Sequence, residues 1–282
     1  SVNSGSSAIL LMAYANLHYK KLRNKKIAIP SVSWATTLSP FIQLGYEPHL
    51  VDCDPNNLGI NVDDFYQLVK TDNIGSLILV HVLGHDSSIE EIVDICDEYN
   101  VRLFEDTCEG LGTICNGKKL GSYGLASAFS FYYGHHISTI EGGMICTNDN
   151  EYSNLITSLR SHGWNRDLNS EEANKLQEEN NISDFRNLYS FYYPGFNLRS
   201  TEINAFLGIK QIELLNKYCN TRRNLFNHYA NRLHRFWNQT SSSEFISSFA
   251  YGTLIKNPDE TWEYLKKNLI ESRPLICGSM GR

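Results

Sequence analysis

The chain has no apolar run near the roughly 20 residues that a membrane-spanning helix requires, so no membrane partner is expected. It has no basic excess: 25 lysines and arginines stand against 31 aspartates and glutamates, a net charge of −6. Without a basic patch there is no footprint for nucleic acid or an anionic membrane surface. There is no C-x-x-C pair. The seven cysteines, Cys53, Cys96, Cys108, Cys115, Cys146, Cys219 and Cys277, are scattered, which argues against a zinc site or a redox dithiol. An odd number without spacing fits the reduced thiols of a cytoplasmic protein. The opening Ser1–Ser7 lacks the basic start of a signal peptide. There is no internal repeat and no low-complexity tract. The 282 residues suffice for one large domain with a small appendage.

What is present is an alternation. Lys26–Pro30, Glu47–Asp54, Ser76–Val82 and Val101–Asp106 read as strands. Ala8–Leu17 before them, and between them an apolar stretch ending at Gly45, Val62–Lys70 and Ser88–Asn100, read as helices. In the last, Ile89, Ile92, Val93 and Ile95 follow a helical period, with Ser87 or Ser88 as its cap. Ser76–Val82 is continuously apolar, as in a strand buried on both faces. This pattern predicts an α/β fold, a mainly parallel sheet with helices on both faces. Ala126–Tyr133 and Gly143–Thr147 are further strands. Beyond Asn148 the expectations are a helix at Glu151–His162, a polar loop with a helical turn from Trp164 to Asn187, and helices at Thr201–Leu215 and Thr221–Leu233. The first of these two is apolar enough to be well buried. A strand at Phe249–Ile255 and a helix at Glu260–Leu269 follow. Residues 1–233 are expected to form a large domain and 234–282 the start of a small, incomplete C-terminal α+β unit.

Chemistry concentrates between two of these strands, in Phe129-Ser-Phe-Tyr-Tyr-Gly-His-His-Ile-Ser-Thr-Ile-Glu-Gly-Gly-Met144. A paired histidine followed by Glu-Gly-Gly is unusual for a plain turn. Ser4-Gly5-Ser6-Ser7 precedes a helix, and the free N–H groups there make either a cap or an anion site. Trp34, just past a strand end, suits core packing or a ring stacked on a flat ligand. Asp106 ends a strand, where it is a turn residue or points into a ligand crevice. Ser130 is a strand serine or a ligand contact. Asn197, after Pro194-Gly195, is a turn residue or a contact reaching outward.

Together these segments, with Gly195-Phe-Asn-Leu-Arg199, resemble the sugar-nucleotide aminotransferase family, pyridoxal-phosphate-dependent enzymes of fold type I, from Ser4 to about Pro274. The resemblance implies pyridoxal 5′-phosphate or pyridoxamine 5′-phosphate as cofactor. It implies Gly5, Ser6 and Ser130 at the phosphate, Trp34 over the ring and Asp106 at the pyridine nitrogen, where a carboxylate makes the ring an electron sink. Glu109 completes an Asp-x-x-Glu pair with Asp106. Asn197 reaches the phosphate of the other subunit in a homodimer with shared active sites. Family members run longer at both ends, so the chain is expected to be a fragment.

One position departs from the family. Where a lysine normally bonds the cofactor and shuttles its proton, the chain has His135, and Lys118 and Lys119 lie in a loop misplaced for that role. The family has a histidine branch, the sugar 3-dehydratases, whose segment reads His-His-Ile/Leu and then Glu-Gly-Gly. A histidine titrates near pH 6.5 and serves as a base near neutrality. One sub-branch needs an iron–sulfur cluster on four cysteines; Ser161–Leu168, where three of them would fall, contains none, so no cluster is expected. The other sub-branch acts on GDP-4-keto-6-deoxy-D-mannose, with L-glutamate as amino donor, in 3,6-dideoxysugar biosynthesis for lipopolysaccharide O-antigen. There the resemblance implies His135 as catalytic base and His162, Arg166 and Arg273 near the sugar nucleotide. Two alternatives stay open: a sugar-nucleotide aminotransferase, and a non-catalytic sugar-nucleotide-binding homologue.

Overall fold

A computed structural model describes residues 1–275 and the backbone of Gly278 and Ser279; Cys277 and the end of the expected second unit lie outside the described residues. The central sheet contains β1 (Lys26–Pro30), β2 (Glu47–Val51), β3 (Ser76–Val80), β4 (Arg102–Asp106), β5 (Ala126–Ser130) and β6 (Gly143–Cys146). Their spatial order is β2-β1-β3-β4-β5-β6. Every neighbouring pair is parallel except β5 with β6. β3 is buried at each position, as an uninterrupted apolar strand requires.

Helices α1 (Gly5–His18), α2 (Ala35–Gln43), α3 (Val62–Thr71), α4 (Ile89–Tyr99) and α5 (Asn150–Arg160) cover the sheet. Successive strand side chains point to opposite faces, and two cores result. Ile27, Ile29, Ile78, Phe104 and Ala128 pack with α1, α2 and α5. Ala28, Leu77, Leu79 and Leu103 pack with α3 and α4. Ser4 starts α1 by accepting the Ser7 N–H, four residues before the apolar pattern begins. Of the two serines expected to cap α4, Ser88 holds the cap position, in a left-handed conformation and without a side-chain bond to the helix; its hydroxyl accepts from Asn57 instead, and Ser87 gives its hydroxyl to the Val80 carbonyl.

The later chain departs further from its pattern. The expected loop at Trp164–Asn187 contains α6 (Ser170–Glu179) and α7 (Asp184–Asn187). α6 buries no residue, so no apolar period announced it; it rests on Asn169, which accepts the Glu172 N–H, and on two glutamates in its first turn. α8 (Glu202–Ile212) was expected to be buried and is not. Ile203, Phe206, Ile209 and Ile212 are 61% to 72% exposed. Apolar composition marks a face that needs cover, and no element among the described residues supplies it. α9 (Leu215–Arg232) is one long helix, and α10 is Pro258–Lys267. The strand expected at Phe249–Ile255 is absent. The Phe249 N–H bonds the Leu83 carbonyl, but residues 250–255 join no strand among the described residues. Among those residues no helix is long and apolar enough to cross a membrane.

Candidate active site

The carboxyl ends of parallel strands open onto a crevice, and β4 ends there in Asp106. The residue is 5% exposed. Its Oδ2 accepts the Thr37 hydroxyl at 2.8 Å and its Oδ1 the Cys108 N–H at 3.2 Å. Thr37 lies in the first turn of α2, so that helix start is tied to the strand end. Beside it, Thr36 shares a hydrogen bond with the Ser6 hydroxyl at 2.9 Å, joining the first turn of α1 to the same place. Trp34 is the N-cap residue of α2 and is 53% exposed. Asp106, Ser6 and Trp34 are thus brought together by Thr36 and Thr37, which the sequence reading passed over. Their signal was two hydroxyl residues opening an apolar helix after a strand.

Two glycines are dictated by close approach. A Cβ on Gly5 would stand 2.7 Å from Ser130 Cβ and 3.1 Å from Cys108 Sγ. Only glycine lets the start of α1 seat against the ends of β4 and β5, leaving its N–H groups beside Ser130. A Cβ on Gly143 would stand 2.3 Å from the Ser4 carbonyl oxygen. Gly143 also exchanges two backbone hydrogen bonds with Val2. The second glycine of Glu-Gly-Gly is therefore required so that β6 can hold the chain just ahead of Ser4.

The histidine segment leaves β5 and returns to β6. The Phe131 N–H bonds Gly142 and the Thr139 N–H bonds Phe131, closing the excursion. The two rings take different partners. His135 Nδ1 is 2.7 Å from the Cys108 carbonyl oxygen, and His136 Nε2 is 2.8 Å from that of Ser247. A carbonyl can only accept, so His135 carries its proton on Nδ1 and keeps the lone pair on Nε2. Burial lowers the pKa of His135, opposed by the Cys108 carbonyl and the Asp106 charge. His136 is almost fully buried and is pushed down to about 3, so it stays neutral.

Glu109 lies behind Asp106, its Oε2 accepting the Leu83 N–H at 2.7 Å. Burial, reinforced by Asp106, raises its pKa to about 7. Arg273 is exposed, and its charge acts on both Glu109 and His135. A further group was missed altogether. Glu105, on the opposite face of β4 from Asp106, is fully buried and 3.0 Å from His81 Nε2. It also accepts the N–H groups of Gly121, Tyr123 and Gly124 at 2.7, 2.7 and 2.8 Å. Burial acts to raise its pKa, but His81 and the amides hold it below the usual carboxylate range. A histidine inside an apolar strand was the available signal.

The remaining predicted residues lie elsewhere. Asn197 is exposed and bridges Ser161; the His162 N–H bonds the Phe196 carbonyl at 2.6 Å, and the Asn3 N–H bonds that of Leu198 at 2.9 Å. The Arg166 guanidinium lies 4.3 Å from the Trp164 ring centroid and 4.8 Å from that of Tyr189, and it donates to the Leu188 carbonyl. No hydrogen bond or ring contact among the described residues joins His162, Arg166 or Asn197 to His135, Asp106 or Ser130.

Residues 1–276 match the DegT/DnrJ/EryC1/StrS aminotransferase family. The chain is 34% identical to GDP-4-keto-6-deoxy-D-mannose 3-dehydratase of Escherichia coli over 99% of its own length and 74% of the relative's. To the protein of the same name from Yersinia pseudotuberculosis it is 32% identical, covering 99% of this chain and 72% of that one. A crystal structure of GDP-4-keto-6-deoxymannose-3-dehydratase with a trapped PLP-glutamate geminal diamine superposes with a TM-score of 0.90, at 32% identity, over 99% of this chain and 74% of that one.

Proposed function

The chain belongs to the DegT/DnrJ/EryC1/StrS aminotransferase family, and on that premise we propose that it is a pyridoxal-phosphate-dependent sugar-nucleotide 3-dehydratase. Its substrate is GDP-4-keto-6-deoxy-D-mannose, as the names of its relatives state for them, and L-glutamate loads the amino group. The observation that carries the reading is His135 at the lysine position, its Nδ1 committed to the Cys108 carbonyl and its Nε2 left as a base.

The residues present fit the cofactor. Gly5 and the start of α1 make a phosphate cradle against Ser130, with Ser6 at its rim. Asp106 presents a buried carboxylate for a pyridinium, and Trp34 supplies a ring at the mouth. Glu109 supports the loop that faces Asp106. Bound, the cofactor supplies an electron sink. His135 moves a proton at Nε2, and its lowered pKa keeps that atom unprotonated at neutral pH. Having no amine, His135 would form no covalent tether to the cofactor; in this reading the sugar loses its C3 hydroxyl, and the nitrogen supplied by glutamate leaves as ammonia.

The purified protein, given pyridoxal phosphate, glutamate and a panel of 4-keto-6-deoxy sugar nucleotides, should release ammonia and a 4-keto-3,6-dideoxy product from the GDP sugar. A 4-amino sugar as the main product would instead make it an aminotransferase. Binding without turnover would make it a non-catalytic homologue.

The functional unit in this reading is a homodimer. The uncovered face of α8 suits a second copy of the chain. Exposed Asn197, with His162 and Arg166, then serves the neighbouring subunit's site, and Arg273 serves the sugar nucleotide of its own. Residues from 234 onward begin a second, smaller unit. Mixing His135→Ala chains with Asn197→Ala chains should restore part of the activity, because one site per hybrid dimer keeps both groups. Verified hybrids without any recovery would refute shared sites.

A further inference from the structure

His135 has a support that its own loop does not provide. The Arg222 guanidinium, reaching from α9, donates to three carbonyls: His135 at 3.4 Å, Ser248 at 3.3 Å and Phe249 at 2.9 Å. The last two belong to a strap, residues 247–249, that runs under the histidine loop. His136 Nε2 donates to the Ser247 carbonyl at 2.8 Å. The Phe249 ring lies 5.1 Å from the His135 ring and 6.2 Å from that of His136. On its far side the strap is fixed to the chain after β3. The Phe249 N–H bonds Leu83, and the Thr113 hydroxyl accepts the Ser247 N–H while donating to the Gly84 carbonyl. Ser247 and Ser248 are buried. The loop carrying the histidines contains a tight turn and no strand, so these outside contacts add to the few backbone bonds that close it.

We propose that Arg222 is a positioning residue for the reaction, holding the base His135 at its working place by clamping the histidine loop to the strap Ser247–Phe249. The guanidinium suits this task because its planar fork presents several donors at fixed angles, whereas an ammonium is a point charge. A base misplaced by about 1 Å costs on the order of a hundredfold in rate, so a residue that touches neither substrate nor cofactor can govern turnover. The clamp also links the base to the segment leading into the C-terminal part of the chain, so anything that moves that segment moves the base.

Arg222 acts on the titration of His135 too. The charged and titratable groups facing that ring are Asp106 at the end of β4 and Cys108 just after it, His136 in its own loop, Arg222 of α9 and Arg273 beyond α10, with the Tyr132 ring 6.3 Å away. The Arg222 cation disfavours protonated His135, so its removal raises the His135 pKa.

The proposal rests on His135 being the base of the proposed reaction, and the test separates the two. Arg222→Met and Arg222→Lys are compared with the parent holoenzyme. Nitrogen NMR of the histidine rings, with His135 assigned through His135→Asn, reads tautomer and pKa without any substrate. In the parent, His135 should be fixed with its proton on Nδ1. In Arg222→Met the tautomers should mix, the pKa should rise, and the acidic limb of the pH–rate profile should move to higher pH. Turnover should fall at least about tenfold, with KM for the sugar nucleotide almost unchanged. Arg222→Lys keeps the charge but not the fork. Its pKa should stay close to the parent's while tautomer mixing and slowed turnover persist. If Arg222→Met proves unfolded by circular dichroism, Arg222→Lys and Phe249→Leu, which loosens the strap and leaves every carbonyl in place, carry the same readouts. Folded variants with the parent's tautomer and turnover would overturn the proposal. A tautomer that shifts in a protein that dehydrates no sugar nucleotide would leave the clamp standing and remove the dehydratase reading.

Discussion

Replacing His135 with lysine is expected to turn a reversibly held cofactor into a covalently attached one. The position lies between the ends of β5 and β6, where its neighbour Cys108 offers a carbonyl and Asp106 a charge. A lysine amine there is desolvated and faces Arg222 and Arg273, both of which lower an amine's pKa and free its lone pair for attack on an aldehyde. Borohydride should then fix the cofactor as a constant mass increase on the peptide containing residue 135. Dehydration should fall steeply. A tethered amine can return a proton to the sugar, so some 4-amino sugar should be formed. A His135→Lys protein that takes no fixed mass and dehydrates at the parent rate would show that residue 135 does not face the cofactor. His136 is the internal control. Its ring is buried on Ser247 and neutral, so His136→Asn should cost stability and leave the base's pH profile where it was. If that variant, still folded, loses dehydration while His135→Asn keeps it, the base is one residue later.

Asp106→Asn should be nearly as damaging and for a separate reason. Asparagine is the same size, and its carbonyl can still accept from Thr37 or from the Cys108 N–H. The fold should survive. What disappears is the buried negative charge that would keep a pyridine nitrogen protonated, and with it the electron sink. Cofactor affinity should weaken, and turnover should drop by orders of magnitude, both measurable by cofactor absorbance and product formation. Near-native turnover would reduce Asp106 to a residue that merely secures the ends of β4 and α2.

These two positions stood out in the sequence through the family resemblance, which sets a carboxylate at a strand end and His135 at a fixed distance after Phe-Ser-Phe; by local pattern alone Asp106 reads as well as a turn residue. The sheet was legible from local pattern, since strands buried on both faces announce themselves by continuous apolar runs and amphipathic helices by period. Arg222, Thr36 and Thr37 were not legible. Their partners lie 87, 30 and 69 residues away, and no local period records such a contact. α8 shows the opposite failure: its apolar residues were read correctly, but burial depends on what packs against them. α6 has no buried face at all, so the capping residue and first-turn acids were the signals to weigh. The segment at 249–255 has strand-forming residues and no ladder to join, which tertiary context alone decides.

Glu105 has a consequence for how freely the chain can vary. It grips the turn at 121–124 through amide groups of the main chain and through no side chain of that turn. Such a grip is indifferent to side-chain identity and sensitive only to backbone shape. Gly121 is bound to its residue type by a φ of +90°, and Gly124 by the Leu103 carbonyl oxygen, 2.5 Å from where a Cβ would sit. Ser122, exposed between them, carries no such restriction. The turn can therefore drift in sequence at that point while the strand bearing Asp106 stays anchored, and its mutational tolerance is set by permitted dihedral angles and by the room left for a Cβ.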